Sequence, residues 1–251
     1  MSVGQNDESD IWAQHLEHGR VGQSFQVHAG DEQMEVFSPI LGHQHVFNCL
    51  QTIAVGLLLG LPFRPLCSAL QAYENSPGQL QRISLGQPFD VYVDHANSRR
   101  DLSKAVLALR QSSEGRLIVV YGPSASHTAV QRSAMGRVAE KFADISIITE
   151  NNAEYEDPLA IAHDVIDGYK RSADAYVIPG RERAIGFAIS MAEPGDTVLV
   201  AGKGADKFDR VGKNTYYFDD VEIATICIQE LLNPVAKYGR DIFRFEDYTD
   251  D

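Results

Sequence analysis

Apolar and polar residues follow two different rhythms along this chain, and the change falls near residue 87. Before it, positions 24–27 and 34–37 alternate one by one on either side of Gly30-Asp31. That pattern predicts a two-stranded hairpin after a short acidic lead. From His45 to Leu59 the apolar positions Val46, Cys49, Leu50, Ile53 and Leu57 recur at helical spacing, and Gly60 marks the end. Pro62 and Pro65 open a second helix that runs to about Tyr73, with a turn at Asn75-Ser76-Pro77-Gly78.

After residue 87 short apolar runs at 89–93, 117–121, 145–149, 175–178 and 197–201 alternate with amphipathic stretches at 99–109, 130–142, 158–169 and 183–191. Strands alternating with helices of this length predict an α/β fold with a Rossmann-like, mainly parallel, doubly wound sheet. A last helix is expected over 219–232, opened by acids that suit its N-terminal dipole and stopped by Pro234. The expected organisation is a small α+β unit (1–86), the Rossmann-like domain (87–235) and an acidic tail (236–251) read as a loosely held terminus. Two strands and two helices cannot cover both faces of a layer. The small unit is therefore expected to pack on the α/β domain, on a second copy or on another chain.

Composition narrows the function. The net charge of −13 argues against a nucleic-acid partner, because the 22 basic residues form no concentrated face. The apolar run from Cys49 to Pro62 is too short to cross a bilayer, and the polar start of the chain does not read as a signal peptide. Cys49, Cys67 and Cys227 lie far apart in helical stretches and are expected as free thiols. A cytoplasmic protein with no membrane contact is the expectation.

Candidate chemistry is thin. After the strand at 117–121 the loop Gly122-Pro123-Ser124-Ala125-Ser126-His127-Thr128 occupies the place where α/β proteins collect ligand-facing groups. It has one glycine, a proline without an N–H, and no carboxylate or lysine. Ser124, Ser126 and His127 lack a third orienting group and an oxyanion hole, so no catalytic residue is assigned. His43, His45 and His95 fit no common ligand spacing, and no metal site is assigned. No G-x-x-x-x-G-K-[ST] motif occurs in the 251 residues.

Several segments nevertheless stand in a telling order: Leu41-Gly42-His43-Gln44-His45-Val46-Phe47-Asn48, then Ser76-Pro77-Gly78-Gln79-Leu80-Gln81-Arg82, then Val93-Asp94-His95-Ala96-Asn97. The loop at 122–136 follows, with Arg132, Met135 and Gly136, then Thr149-Glu150-Asn151-Asn152-Ala153-Glu154, Pro179-Gly180-Arg181 and Gly202-Lys203-Gly204-Ala205-Asp206. Together they resemble the Mur ligases, most closely the MurE type, over residues 24–225. The resemblance covers the end of that family's central ATPase domain and its C-terminal Rossmann-like domain.

The resemblance implies a residual nucleotide edge at Asn48, Asp94 and His95, with Asn48 towards adenine and Asp94 towards ribose. It places Asn152, Arg181 and Lys203 at the amino-acid substrate. Many charged positions of the family pattern are exchanged: Gln79 stands for an arginine, Gln131 for a lysine, and Glu154 for the arginine that grips the substrate carboxylate. Glu154 would repel that carboxylate. Two roles stay open for Asp94, ribose contact or support for the start of the next helix. Gly202-Lys203-Gly204 reads equally as an anion nest or as a solvated loop with a flexible lysine.

These residues predict a catalytically silent binding, regulatory or structural subunit. The alternative is the C-terminal half of a split or truncated ATP-dependent amino-acid ligase of peptidoglycan precursor synthesis. No cofactor is expected for the chain alone; ATP and Mg²⁺ would enter only with a partner that supplies the P-loop. A homo-oligomer or a protein partner is expected to assemble through residues 1–86.

Overall fold

A computed structural model of the chain describes residues 1–19, 22–73, 75–171 and 175–233. The acidic tail expected at 236–251 lies outside the described residues.

The N-terminal unit holds β1 (Val3–Gly4), β2 (Ile11–Gly19), β3 (Gly22–Ala29) and β4 (Glu32–Ser38) in one sheet in that order. The β3–β4 hairpin matches the expected strands, but the acidic lead is itself a sheet edge. Ile11 and Ala13 point inward with Phe25, Val27 and Val36, while Trp12 faces the other way and stacks on His28 at 3.8 Å. The alternation in β2 is real, and the aromatic on its outer face obscures it in sequence. Two helices, α1 (His43–Leu58) and α2 (Phe63–Gln71), close this sheet. They bury Val46, Cys49, Leu50, Ile53, Phe63 and Cys67 against it. The expectation of two strands is corrected: four strands provide enough surface for both helices, and the unit has a core of its own.

The α/β domain runs β5 (Gln81–Ile83), β6 (Asp90–Asp94), α3 (Arg99–Ser112), β7 (Leu117–Tyr121), α4 (Ala129–Phe142), β8 (Ile145–Ile148) and α5 (Pro158–Ile166). It continues with β9 (Ala175–Val177), α6 (Arg181–Met191), β10 (Thr197–Ala201), β11 (Phe208–Val211), β12 (Asn214–Tyr217) and α7 (Asp220–Leu232). Six strands form one sheet in the order β5-β6-β10-β7-β8-β9, parallel except for β5. β5 lies on the N-terminal side of residue 87 and pairs as an edge strand, and β11–β12 is a separate hairpin.

Burial on both sides follows from the strand period of two. Leu117, Val119 and Tyr121 pack with Leu102, Val106, Met135 and Val165 of α3, α4 and α5. Ile118 and Val120 pack with Ala184, Ile185, Ala224 and Ile228 of α6 and α7. Helices start where side chains cap them: Ser98 accepts from Asp101 N–H, Thr128 and Gln131 form a reciprocal capping box, and Asp219 accepts from Val221 N–H. Gln131, at a position where the resemblance has a basic residue, is thus a capping group. Cys49 and Cys67 are buried free thiols and Cys227 a half-buried one. Among the described residues no helix is long and apolar enough to cross a membrane.

Candidate functional site

In a sheet of this order, ligands settle outside the carboxyl ends of the strands where the winding reverses, here beyond β6, β10 and β7. A cleft of about 850 Å³ opens at the β6 end of this edge, between α1 and the turn at 75–80 on one side and the end of β6 with α3 on the other. Asn48, Tyr73, Asp94, His95 and Lys104 line it, so the three expected nucleotide-edge residues share one wall system. The size suits a nucleoside-scale ligand.

The polar groups of the cleft are only partly committed. Asp94 Oδ2 accepts from Leu80 N–H at 2.7 Å and Oδ1 from Ala96 N–H at 2.7 Å. Burial raises its pKa against those two hydrogen bonds. Ser98, not Asp94, caps α3, so Asp94 instead ties the 75–80 turn to β6, and each oxygen keeps a further lone pair for a ligand. Gly78 makes this turn possible: it sits at φ +72, and a Cβ there would fall 2.2 Å from Ala205 N. His95 Nδ1 lies 3.1 Å from Lys203 O, and Gln44 Nε2 donates to Asn48 Oδ1 at 3.3 Å. Burial pushes the His45 pKa down to about 4, and its Nε2 lies 3.3 Å from Cys49 Sγ. His43, His45 and His95 all line the cleft, yet among the described residues no group of three ligating side chains converges for a metal.

The ends of β8 and β10 form a second region with a different character. Arg181 is buried and bidentate to Asp220, Nε to Oδ1 and Nη2 to Oδ2, both at 2.7 Å, and Nη2 also donates to Ala201 O at 2.9 Å. Burial opposes its charge, and Asp220 more than offsets this, so its pKa stays above the ordinary value. Lys203 is not a flexible loop lysine. Its side chain is fully buried, donates to Phe208 O and lies 3.6 Å from Asp209. Asn152 uses its own N–H on Asp209 Oδ1, its Oδ1 on Arg210 N–H and its Nδ2 on Asn151 Oδ1. Glu154 is laced to the hairpin by Arg210 O and Gly212 N–H, with its carboxylate 3.9 Å from the Arg210 guanidinium. The structure brings Asn152 and Lys203 together, but around Asp209 rather than around open space.

In the loop at 122–128, Ser124 Oγ lies 3.0 Å from His127 Nδ1 and 2.6 Å from Ser126 Oγ. Among the described residues no carboxylate bonds the His127 ring, so the pair lacks the orienting acid a nucleophilic triad uses. Arg132 braces this loop through Glu156, Asp164 and Ala125 O. Sequence reasoning missed Asp209, Asp220 and the hairpin. The signal was Val211-Gly212-Lys213-Asn214, a two-residue turn with glycine first, between short alternating runs.

Residues 78–204, just over half of the chain, match the family described as Mur ligase, glutamate ligase domain. The chain belongs to the Mur ligase family. It is 34% identical over 92% of its length to the UDP-N-acetylmuramoyl-L-alanyl-D-glutamate–2,6-diaminopimelate ligase of Bacillus velezensis, and covers 47% of that protein. The ligase of the same name from Prochlorococcus marinus is 34% identical, with 87% of this chain and 44% of the relative covered. A solved structure of such a ligase superposes with a TM-score of 0.71 at 25% identity, over 91% of this chain and 47% of the other. The MurC structure from Thermotoga maritima gives 0.64 at 14% identity over 91% of this chain and 47% of its own, a likeness of fold alone. The chain spans about half the length of the Mur ligases it matches.

Proposed function

We propose that these 251 residues form a MurE-like binding module without ligase activity of its own, with an open cleft of nucleoside size and a closed amino-acid end. One observation carries this reading: Asn152, Arg181 and Lys203 all spend their polar groups inside the chain, while the cleft at Asn48, Asp94 and His95 stays open. Transfer of a phosphoryl group to an acyl acceptor needs a γ-phosphate cradle and Mg²⁺. The 251 residues carry no P-loop motif. An incoming amino-acid carboxylate would meet the like charges of Glu154 and Asp209. The test is phosphate release from Mg-ATP with UDP-N-acetylmuramoyl-dipeptide and diaminopimelate present. No turnover is expected, and turnover that Asp94→Ala abolishes would overturn the reading.

A second reading, half of a split or truncated ligase, is favoured by the exposed Val55, Leu58, Leu59 and Leu61 at the end of α1. Those residues would meet a chain that supplies the phosphate-binding half. Affinity purification of the tagged protein from its host separates the readings, because recovery of a P-loop Mur-like chain supports the split enzyme.

A further inference from the structure

We infer that Asn152 N–H, Arg210 N–H and the Lys203 ammonium form a carboxylate cradle, and that Asp209 fills it as an internal ligand. Asp209 Oδ1 accepts from Asn152 N–H at 2.7 Å and, at 3.1 Å, from the Arg210 N–H that it shares with Asn152 Oδ1 at 2.9 Å, with Lys203 Nζ 3.6 Å away. Two backbone donors and one cation on a single oxygen are what an anion site requires. Asn152 sits at φ +48, in the left-handed region that asparagine tolerates.

Lys203 makes the cradle a site with a charge requirement. Its side chain is fully buried, and a buried ammonium is stable only beside a counter-charge. Phe208 O supplies a hydrogen bond without charge, and the Phe218 ring lies 6.0 Å away. Arg181 cannot share its own counter-ion, since Asp220 binds it with both oxygens. Asp209 therefore supplies the charge that balances Lys203.

The occupant comes from a peripheral element. Asp209 sits in β11, which pairs with β12 outside the six-stranded sheet and is bridged to Glu154 at Val211, and Phe208, Tyr216 and Tyr217 on this hairpin are more than half exposed. The hairpin is a plug that carries its own carboxylate into a place where a free carboxylic acid would bind. Small carboxylates are excluded from the intact protein for that reason, independently of whether the cleft at Asn48 takes a nucleoside.

Chemical rescue tests this. Asp209→Ala removes a group the size of formate. The variant is expected to melt below the intact protein, and tens of millimolar sodium formate should raise its Tm by about 2–4 °C above sodium chloride of equal ionic strength. The intact protein should show no formate-specific shift, and Asp209→Ala with Lys203→Met should lose the rescue. If Asp209→Ala is unfolded in plain buffer, the same titration is read as recovery of far-ultraviolet circular dichroism by formate and not by chloride. A formate response no larger than the chloride response, in either readout, overturns the inference, as does an equal formate shift in the intact protein.

Discussion

Two regions at the carboxyl ends of the sheet, one at β6 and one at β8 and β10, have opposite states. On the β6 side Asn48, Asp94 and His95 border about 850 Å³ of open cleft. On the β8–β10 side Asn152, Arg181 and Lys203 are closed by Asp209, Asp220 and the β11–β12 hairpin. At the closed end the basic side chains are held in internal ion pairs, Arg181 with Asp220 and Lys203 with Asp209. At the open end the wall is polar and the cleft is open.

The largest way to break this comparison is at the closed end. Asp220→Ala strands the Arg181 guanidinium in the core and should cost about 3–5 kcal/mol in denaturant unfolding, whereas Arg181→Met with Asp220→Leu should recover most of it. An effect near zero for Asp220→Ala would mean that Arg181 has another place to go, and the closed state would lose its basis.

At the open end the probe is pH. Burial holds His45 neutral with a pKa of about 4, below its ordinary 6.5. Its depressed value means that the unfolded chain takes up the proton first. Stability is thus intact above pH 6.5 and falls as pH drops from 6.5 towards 4, by about 2–3 kcal/mol in all. His45→Gln should flatten that slope in thermal melts; an unchanged slope would show that His45 is solvated and the cleft wall looser than described.

Much of the α/β half was legible because its central strands β6, β7 and β10 are buried on both faces and four of its helices carry side-chain caps, as with Thr128-Ala129-Val130-Gln131. The small unit was half legible. α1 shows its period plainly, but its partner β2 hides its inward face behind Trp12. The open cleft was legible at single residues such as Asn48 and Asp94, since the resemblance supplies their place. Its closed counterpart was not. An ion pair such as Arg181–Asp220 joins residues 39 positions apart, and no local pattern records which acid an arginine will find.

Two smaller effects sharpen the picture. Leu57 packs against the N-terminal core, while Leu58 is 68% exposed beside Leu59. Leu58→Asp should change stability by less than about 0.5 kcal/mol. If residues 1–86 mediate association, the same change should reduce the mass seen by light scattering or lose the partner; an unchanged oligomer would move the interface elsewhere. Glu150 has a pKa raised by burial, opposed by the Gly180 N–H bond. A raised acid contributes stability below its ordinary value of 4.5 that is lost as pH rises through the folded value. Glu150→Gln should therefore give a small gain in Tm at pH 7 that disappears near pH 4, and a loss at pH 7 would contradict that assignment.

The central claim is that the β6 end accepts a ligand and the β8–β10 end does not. Amide chemical-shift titrations with adenosine and with diaminopimelate address both ends in one protein sample. The account predicts that adenosine moves the signals of Asn48, Asp94 and His95, and that diaminopimelate leaves those of Asn152, Lys203 and Asp209 in place. Saturable shifts at Asn152 and Lys203 with diaminopimelate, with none at Asn48 and Asp94 with adenosine, would contradict it.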